Sequence, residues 1–152
     1  MNELIPFLTI GLLLISLKAK GANMSSQSLA VKLNNPLNIR HSAANQWNGM
    51  VGVENGFVKF SSPAYGFRAA HKILDSYAKR GIVTLGGIIN AWAPPSENDT
   101  KHYIDYVAKR IGVKPTQMIT ENMRGQLLLA MAKMESGREW NISTIENSAN
   151  LV

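Results

Sequence analysis

Apolar residues recur every three or four positions along much of this chain, which is the spacing of one face of a helix. The clearest example begins at Ser62-Pro63, where serine caps a helix and proline suits its first position. Phe67, Leu74 and Tyr77 follow at helical spacing, and glycine at position 81 then interrupts the pattern. The sequence therefore predicts a long amphipathic helix that ends near Gly81.

Three further helices are predicted downstream. The first covers residues 84–93 and is ended by a pair of prolines, because proline cannot continue a helix. The second is capped by Asn98 or Asp99 and runs to the glycine at position 112. The third covers residues 120–137 and carries a stripe of methionine and leucine on one face.

Strand-like alternation is confined to two short places. Residues 37–41 and 57–61 alternate well enough to predict two strands, and Asn55-Gly56 supplies turn residues before the second. Together they indicate a small β-hairpin lobe. The predicted fold class is therefore α+β and mostly helical, with four helices and this lobe in one domain.

The N-terminus carries an uncharged apolar stretch at residues 4–17, which as a helix would be about 21 Å long. Glu3 precedes this stretch and Lys18 and Lys20 follow it, which reverses the charge order of a signal peptide. The order favours a retained membrane anchor, with the following domain on the cytoplasmic side or the equivalent side of a particle membrane. A cleaved signal peptide and a buried core helix are the alternatives.

The predicted organisation is a hydrophobic membrane anchor at residues 1–21, a polar linker at 22–28 and one domain at 29–152. A chain of 152 residues that is 45% hydrophobic suffices for a single core. The absence of cysteine excludes disulfides, thiolate zinc sites and cysteine-nucleophile amidases or endopeptidases. The net charge of +6 favours an acidic partner. Because the basic residues are scattered, we expect no nucleic acid partner.

Several motifs occur in order between residue 34 and about residue 112, and they resemble a phage and prophage family of lysozyme-like virion proteins. One departure is Leu37, where this family is expected to have glycine. The matching motifs are Asn34-Asn35-Pro36-Leu37-Asn38-Ile39-Arg40, Trp47, Gly49, Phe57-Val58-Lys59-Phe60, Ser62-Pro63, Gly66-Phe67-Arg68-Ala69, residues 92–100 and Tyr103-Ile104.

A second resemblance is to the wider lysozyme-like superfamily. Met134-Glu135-Ser136-Gly137 is similar to the motif that carries the catalytic glutamate at a helix end in lytic transglycosylases and glucosaminidases. Those enzymes have an Asn-Asn strand and a Trp-x-Gly after the glutamate, whereas Asn34-Asn35 and Trp47-Asn48-Gly49 precede it here. The order is that of a circular permutation, which is physically permissible because chain termini often lie close together.

These resemblances imply a lysozyme-like domain in a phage particle that cleaves bacterial peptidoglycan during entry or lysis. They also imply the virion membrane and capsid or spike proteins as partners, and a membrane-associated location in the virion. A non-catalytic virion protein that links capsid and membrane is the alternative. A metal-dependent endopeptidase is a third possibility, but His41, His71 and His102 lack the spacing of a zinc site. We therefore predict neither a metal nor a cofactor.

Cleavage of a glycosidic bond requires a carboxylic acid that is still protonated near neutral pH. Glu135 lies at the edge of the apolar stripe in the last turn of its helix, where desolvation and the helix dipole both raise the pKa of a carboxyl group. It is the first candidate for the catalytic acid, and a solvated residue paired with Lys133 or Arg138 is the alternative. Glu97 is the second candidate, and exposure beside a helix cap is its alternative.

Amide, hydroxyl, guanidinium and aromatic side chains in two segments, residues 34–40 and 92–103, together with Trp47, are candidates for binding the glycan. Ordinary structural roles compete with each of them: turn formation for the asparagines, helix capping near position 98, and core packing for the aromatic residues. The predicted substrate-binding residues are Asn35, Asn38, Arg40, Trp47, Trp92, Asn98, Thr100 and Tyr103.

Overall fold

The helix predicted after Ser62-Pro63 is the longest in the computed structural model, which describes residues 27–152. This helix, α2 (Pro63–Lys79), starts after an extended Ser62 and has proline in its first turn. Its inner face buries side chains that include Phe67, Leu74 and Tyr77. Gly81 follows the helix with a φ of +76°, a conformation that glycine adopts without strain.

The other three predicted helices are also present. They are α3 (Leu85–Trp92), α4 (Thr100–Ile111) and α5 (Arg124–Ser136), the last preceded by a 3₁₀ turn at Glu121–Met123. The side chain of Thr84 accepts a hydrogen bond from the backbone of α3, and Asp99 caps α4 in the same way. Helices α4 and α5 both end at a left-handed glycine, as the sequence indicated.

The hairpin is present, but one of its predicted strands is wrong. Strand β1 (Met50–Glu54) pairs antiparallel with β2 (Phe57–Phe60) through the Asn55-Gly56 turn, with Val53 opposite Val58. Within residues 37–41, Arg40 forms one isolated bridge to Phe57. Strand β1 was not predicted because its valines lie on the exposed face, with Val51 59% exposed, and Gly52 lies on the less exposed face, so its apolar residues do not mark a buried face.

Residues 34–41 form a turn-rich segment in place of a strand, and Asn35 holds it together. The Asn35 side chain accepts a hydrogen bond from the Ile39 amide and donates to the Ile39 and Val58 carbonyls. Asn38 has a φ of +51°, which is incompatible with an extended strand. The Asn35 side chain thus satisfies backbone groups that a strand would have paired, and two backbone hydrogen bonds, at Ile39 and His41, join this segment to the hairpin around the Arg40 bridge.

Two short helices were not predicted. Helix α1 (Leu29–Lys32) packs against α5, and the Ser28 hydroxyl donates to the Ser136 carbonyl at 2.8 Å. Helix α6 (Ile142–Ser148) packs against α2 and α5. The two helices have only four and seven residues, so their periodicity is too brief to stand out in the sequence.

The fold is α+β, with about half of the described residues in helices and one two-stranded sheet. One core joins the helices to the hairpin and to the segment before it. Its largest fully buried side chains are Leu33, Leu37, Ile39, Phe60, Phe67, Leu85, Ile89, Trp92, Tyr103, Leu127 and Leu128.

The predicted anchor at residues 1–21 lies outside the described residues, as does the linker up to residue 26. Between residues 27 and 152, no helix combines the length and the apolar character needed to cross a bilayer.

Candidate functional site

A buried carboxyl group lies at the C-terminal end of α5. This group belongs to Glu135, a residue that is only 8% exposed. Its Oε1 accepts a hydrogen bond from the Tyr103 hydroxyl at 2.9 Å, and its Oε2 accepts one from Asn38 Nδ2 at 3.0 Å. Three residues that are distant in sequence therefore meet around one carboxyl group.

The turn-rich segment brings Asn38 to this site. Its left-handed backbone, with a φ of +51°, is tolerated because asparagine accepts this conformation better than most residues. The amide Nδ2 of Asn38 also donates to the Glu135 backbone carbonyl at 3.1 Å, so it contacts both the side chain and the helix end. Asn35, fully buried, fixes the turn from which Asn38 projects.

Tyr103 and Trp92 form the wall of the site on the other side. Tyr103 lies on α4 and Trp92 is the last residue of α3, and both are fully buried. The Thr100 hydroxyl donates to the Ala93 carbonyl at 2.5 Å, which joins the end of α3 to the start of α4. The Trp92 Nε1 faces the carboxyl group but makes no hydrogen bond of normal geometry.

Burial raises the pKa of Glu135 from its ordinary 4.5 to about 7. Polar side-chain contacts from Asn38, Tyr103 and Trp92 oppose this rise because they stabilise the charged form. Burial and the neighbouring Glu135 also raise the pKa of Tyr103 well above its ordinary value, so its hydroxyl remains a donor. A substantial fraction of Glu135 is therefore protonated at neutral pH, which is what general-acid chemistry requires.

Ser136 and Trp140 hold the end of α5, and Trp140 was not predicted as a site residue. The Ser136 hydroxyl donates to the Ala132 carbonyl and accepts from the Trp140 Nε1 at 2.9 Å. The Trp140 ring packs edge-on against Phe67, and the Arg138 guanidinium lies 4.7 Å from its centre. These contacts fix the helical turn that carries Glu135. Only the proximity of Trp140 to the Glu-Ser-Gly motif could have suggested its role.

The structure places the remaining predicted residues in other surroundings. Arg40 lies over the Phe57 ring at 5.3 Å, and Trp47 is half-buried against the core. Glu97 is exposed. Asn98 and Thr100 line a separate open groove of about 510 Å³.

That groove lies between α3, the start of α4 and the loop containing Pro115. Pro95 and Ile104 supply apolar surface, and Lys101 and Asp105 form an exposed ion pair at its edge. The Asn98 amide donates to the Pro94 carbonyl, so this side chain stabilises the turn before α4. Between residues 27 and 152, neither this groove nor any other place brings together three histidine, aspartate or glutamate side chains that could hold a metal ion.

Comparison with known sequences places this chain among proteins of bacteriophages. It is 38% identical over 109 residues to Protein P5 of Pseudoalteromonas phage PM2, and the match covers 68% of each chain. The chain therefore belongs to the Protein P5 family. No family model matches the sequence. The prediction of a phage protein is confirmed.

Proposed function

We propose that this protein is a component of the phage particle and that its domain cleaves the glycan strands of bacterial peptidoglycan, with Glu135 as the acid. The phage relative supports the first part. The second rests on one observation, a buried glutamate with a pKa of about 7 that also receives hydrogen bonds from Asn38 and Tyr103. Burial favours the protonated acid, and the two donors stabilise the carboxylate that remains after the proton has been given away.

In the proposed reaction, the protonated carboxyl of Glu135 gives its proton to the glycosidic oxygen. The bond between this oxygen and the anomeric carbon breaks, and its electron pair stays on the departing oxygen. The resulting Glu135 carboxylate is stabilised by the donors on Asn38 and Tyr103. It then takes a proton from the hydroxyl or water that attacks the anomeric carbon, which restores the acid.

The site suits attack by a hydroxyl of the substrate itself better than attack by a water molecule that a second glutamate activates. Most glycoside hydrolases use two carboxyl groups across the scissile bond. Within the described residues, no second carboxylate shares a hydrogen bond with the Glu135 site, and Glu97 is exposed at a turn. Attack by a hydroxyl of the substrate itself, which is the transglycosylase reaction, needs only the one acid and base that Glu135 provides.

A second candidate is a non-catalytic particle protein that links capsid and membrane. Two observations favour it. The Glu135 residue is 8% exposed and both of its carboxyl oxygens already accept hydrogen bonds, so little of this group is accessible to a substrate. In addition, the name of the phage relative specifies no reaction. This candidate keeps the fold and the particle location without the chemistry.

The test is incubation of the full-length protein with purified peptidoglycan, followed by mass spectrometry of the released fragments. We expect anhydromuramic ends from a transglycosylase, whereas new reducing ends would identify a hydrolase. Glu135→Gln should abolish release, and Glu97→Gln, the same change at an exposed site, should retain it. No release by the wild type would favour the non-catalytic candidate, and full release by Glu135→Gln would remove Glu135 from the reaction. Cleaved peptides that disappear with a chelator would indicate an endopeptidase.

The particle location is tested separately. We expect the protein in purified phage particles and, after their disruption, in the membrane fraction with capsid or spike proteins. Its presence only in infected-cell lysate would contradict this part of the proposal and leave the chemical part unaffected.

A further inference from the structure

The indole N–H of Trp92 is a buried hydrogen-bond donor that lacks a partner. The Trp92 residue has no exposed surface, and its Nε1 has no acceptor in hydrogen-bond geometry. Buried donors are nearly always paired because an unpaired one is destabilising. The unpaired Nε1 therefore calls for a physical explanation.

The carboxyl group of Glu135 is the acceptor that Nε1 faces. Trp92 is one of three side chains whose polar contact stabilises the charged form of Glu135, together with Asn38 and Tyr103. The bond from Thr100 to the Ala93 carbonyl holds Trp92 against the start of α4, one turn from Tyr103. Packing thus keeps the indole beside the carboxyl group. The two oxygens of this group already accept hydrogen bonds from Asn38 and Tyr103.

We propose that Trp92 is a positioning residue whose indole N–H closes onto Glu135 when this carboxyl group loses its proton. A charged carboxylate is a stronger acceptor than a neutral carboxyl group, so the third hydrogen bond forms only with the anion. During glycan cleavage the bond would form as the proton passes to the glycosidic oxygen. It would therefore stabilise the transition state more than the ground state.

The catalytic consequence rests on the proposed function, but the response of the indole to Glu135 is a property of the protein alone. Among the described residues, Tyr103 is the titratable side chain that contacts the carboxyl group. Burial raises its pKa well above the ordinary value, so it stays neutral when Glu135 ionises. A change at the Trp92 indole near pH 7 would therefore report on Glu135.

The decisive measurement is a pH titration of the full-length protein by NMR, following the indole ¹⁵N–H signals and the carboxyl ¹³C signal of Glu135. The chain has three tryptophans, so each indole signal can be assigned from one tryptophan-to-phenylalanine variant. We expect the Trp92 signal to move downfield with the same midpoint as Glu135, and this movement to vanish in Glu135→Gln. A Trp92 signal that ignores the ionisation, or that still moves in Glu135→Gln, would overturn the proposal.

A variant supplies the second measurement. Trp92→Phe keeps an aromatic ring and removes the N–H, so the pKa of Glu135 should rise by about 1, a tenfold fall in its acid dissociation constant. The upper pH limit of glycan cleavage should rise equally, with a lower kcat and an unchanged KM.

Tyr77→Phe is the matched control. It removes a buried hydroxyl that also lacks a partner, from a ring that packs edge-on against Trp92 with the ring centres 6.4 Å apart. The pKa of Glu135 should not change in this variant, and equal shifts in both variants would attribute the effect to repacking. If Trp92→Phe does not fold, the wild-type indole titration decides. If the wild type cleaves nothing, the proposed function fails, and the titration still tests Trp92.

Discussion

Replacing Glu135 by glutamine should make the protein more stable at neutral pH. The carboxyl group has a pKa of about 7 in the folded protein and an ordinary value of 4.5, so the folded state binds this proton more tightly than the unfolded state. The stability that comes from the buried neutral form is complete below about pH 4.5 and is lost as the pH rises through about 7. Glutamine has no proton to lose and escapes this cost.

The size of the effect follows from the two pKa values. Their difference of about 2.5 corresponds to about 3 kcal/mol of unfolding free energy, at about 1.36 kcal/mol for each pH unit. Glutamine has the shape of glutamate, and its carbonyl oxygen can accept the bond from Asn38. Its amide can donate to Tyr103, because a hydroxyl also accepts. The substitution should therefore keep the packing while removing the buried charge.

The assay is urea unfolding of the wild type and Glu135→Gln at intervals between pH 4 and pH 8.5. We expect the variant's advantage in unfolding free energy to grow with pH, most steeply between about 4.5 and 7, and then to level off. Glu97→Gln, an exposed site, serves as the control and should show no comparable trend. A difference between wild type and Glu135→Gln that stays flat across this range would refute the assignment of a buried neutral carboxyl.

Three further predictions concern the walls of the site. Tyr103→Phe removes one donor to the Glu135 carboxylate, so the pKa of that group should rise further and the upper pH limit of any cleavage should move with it, as followed by carboxyl ¹³C NMR. Asn35→Ala leaves the buried Ile39 amide without its acceptor and removes one donor each from the Ile39 and Val58 carbonyls, while the Ile39 carbonyl keeps its bond from the Val58 amide; it should lower the unfolding free energy by about 1–3 kcal/mol in urea denaturation. Gly66→Ala would place a methyl group 2.7 Å from the Asn34 carbonyl oxygen, and we expect a loss of about 1–3 kcal/mol of unfolding free energy in urea denaturation; Gly52→Ala, which meets nothing within 4 Å, should cost far less in the same assay.

The predicted substrate-binding residues fall into groups that the sequence could not separate. Asn38, Trp92 and Tyr103 surround Glu135, while Asn98 and Thr100 line a different groove. Asn35 is fully buried, and its side chain is hydrogen-bonded within its own turn and to β2. Asn38, which contacts Glu135, and Asn35, which stabilises the turn, are the same residue type and lie three positions apart in the sequence. Only their three-dimensional partners distinguish them.

Local signals in the sequence predict the four longer helices and place Glu135 in the last turn of one of them. Both are local properties, because caps, prolines, terminal glycines and helical periodicity act over a few residues. The same local reasoning predicts β2. It does not predict that β1 is the partner of β2, because strand pairing depends on which segment is nearby in space.

The surroundings of the carboxyl group depend on contacts between segments that are distant in the sequence. Tyr103 and Asn38 are 32 and 97 residues from Glu135 along the chain, and no local pattern relates them. Their meeting with Trp92 depends on how α3, α4 and the turn-rich segment pack on the end of α5. The pKa of Glu135 is a consequence of that packing, since burial and the three nearby donors set the free energy of its charge.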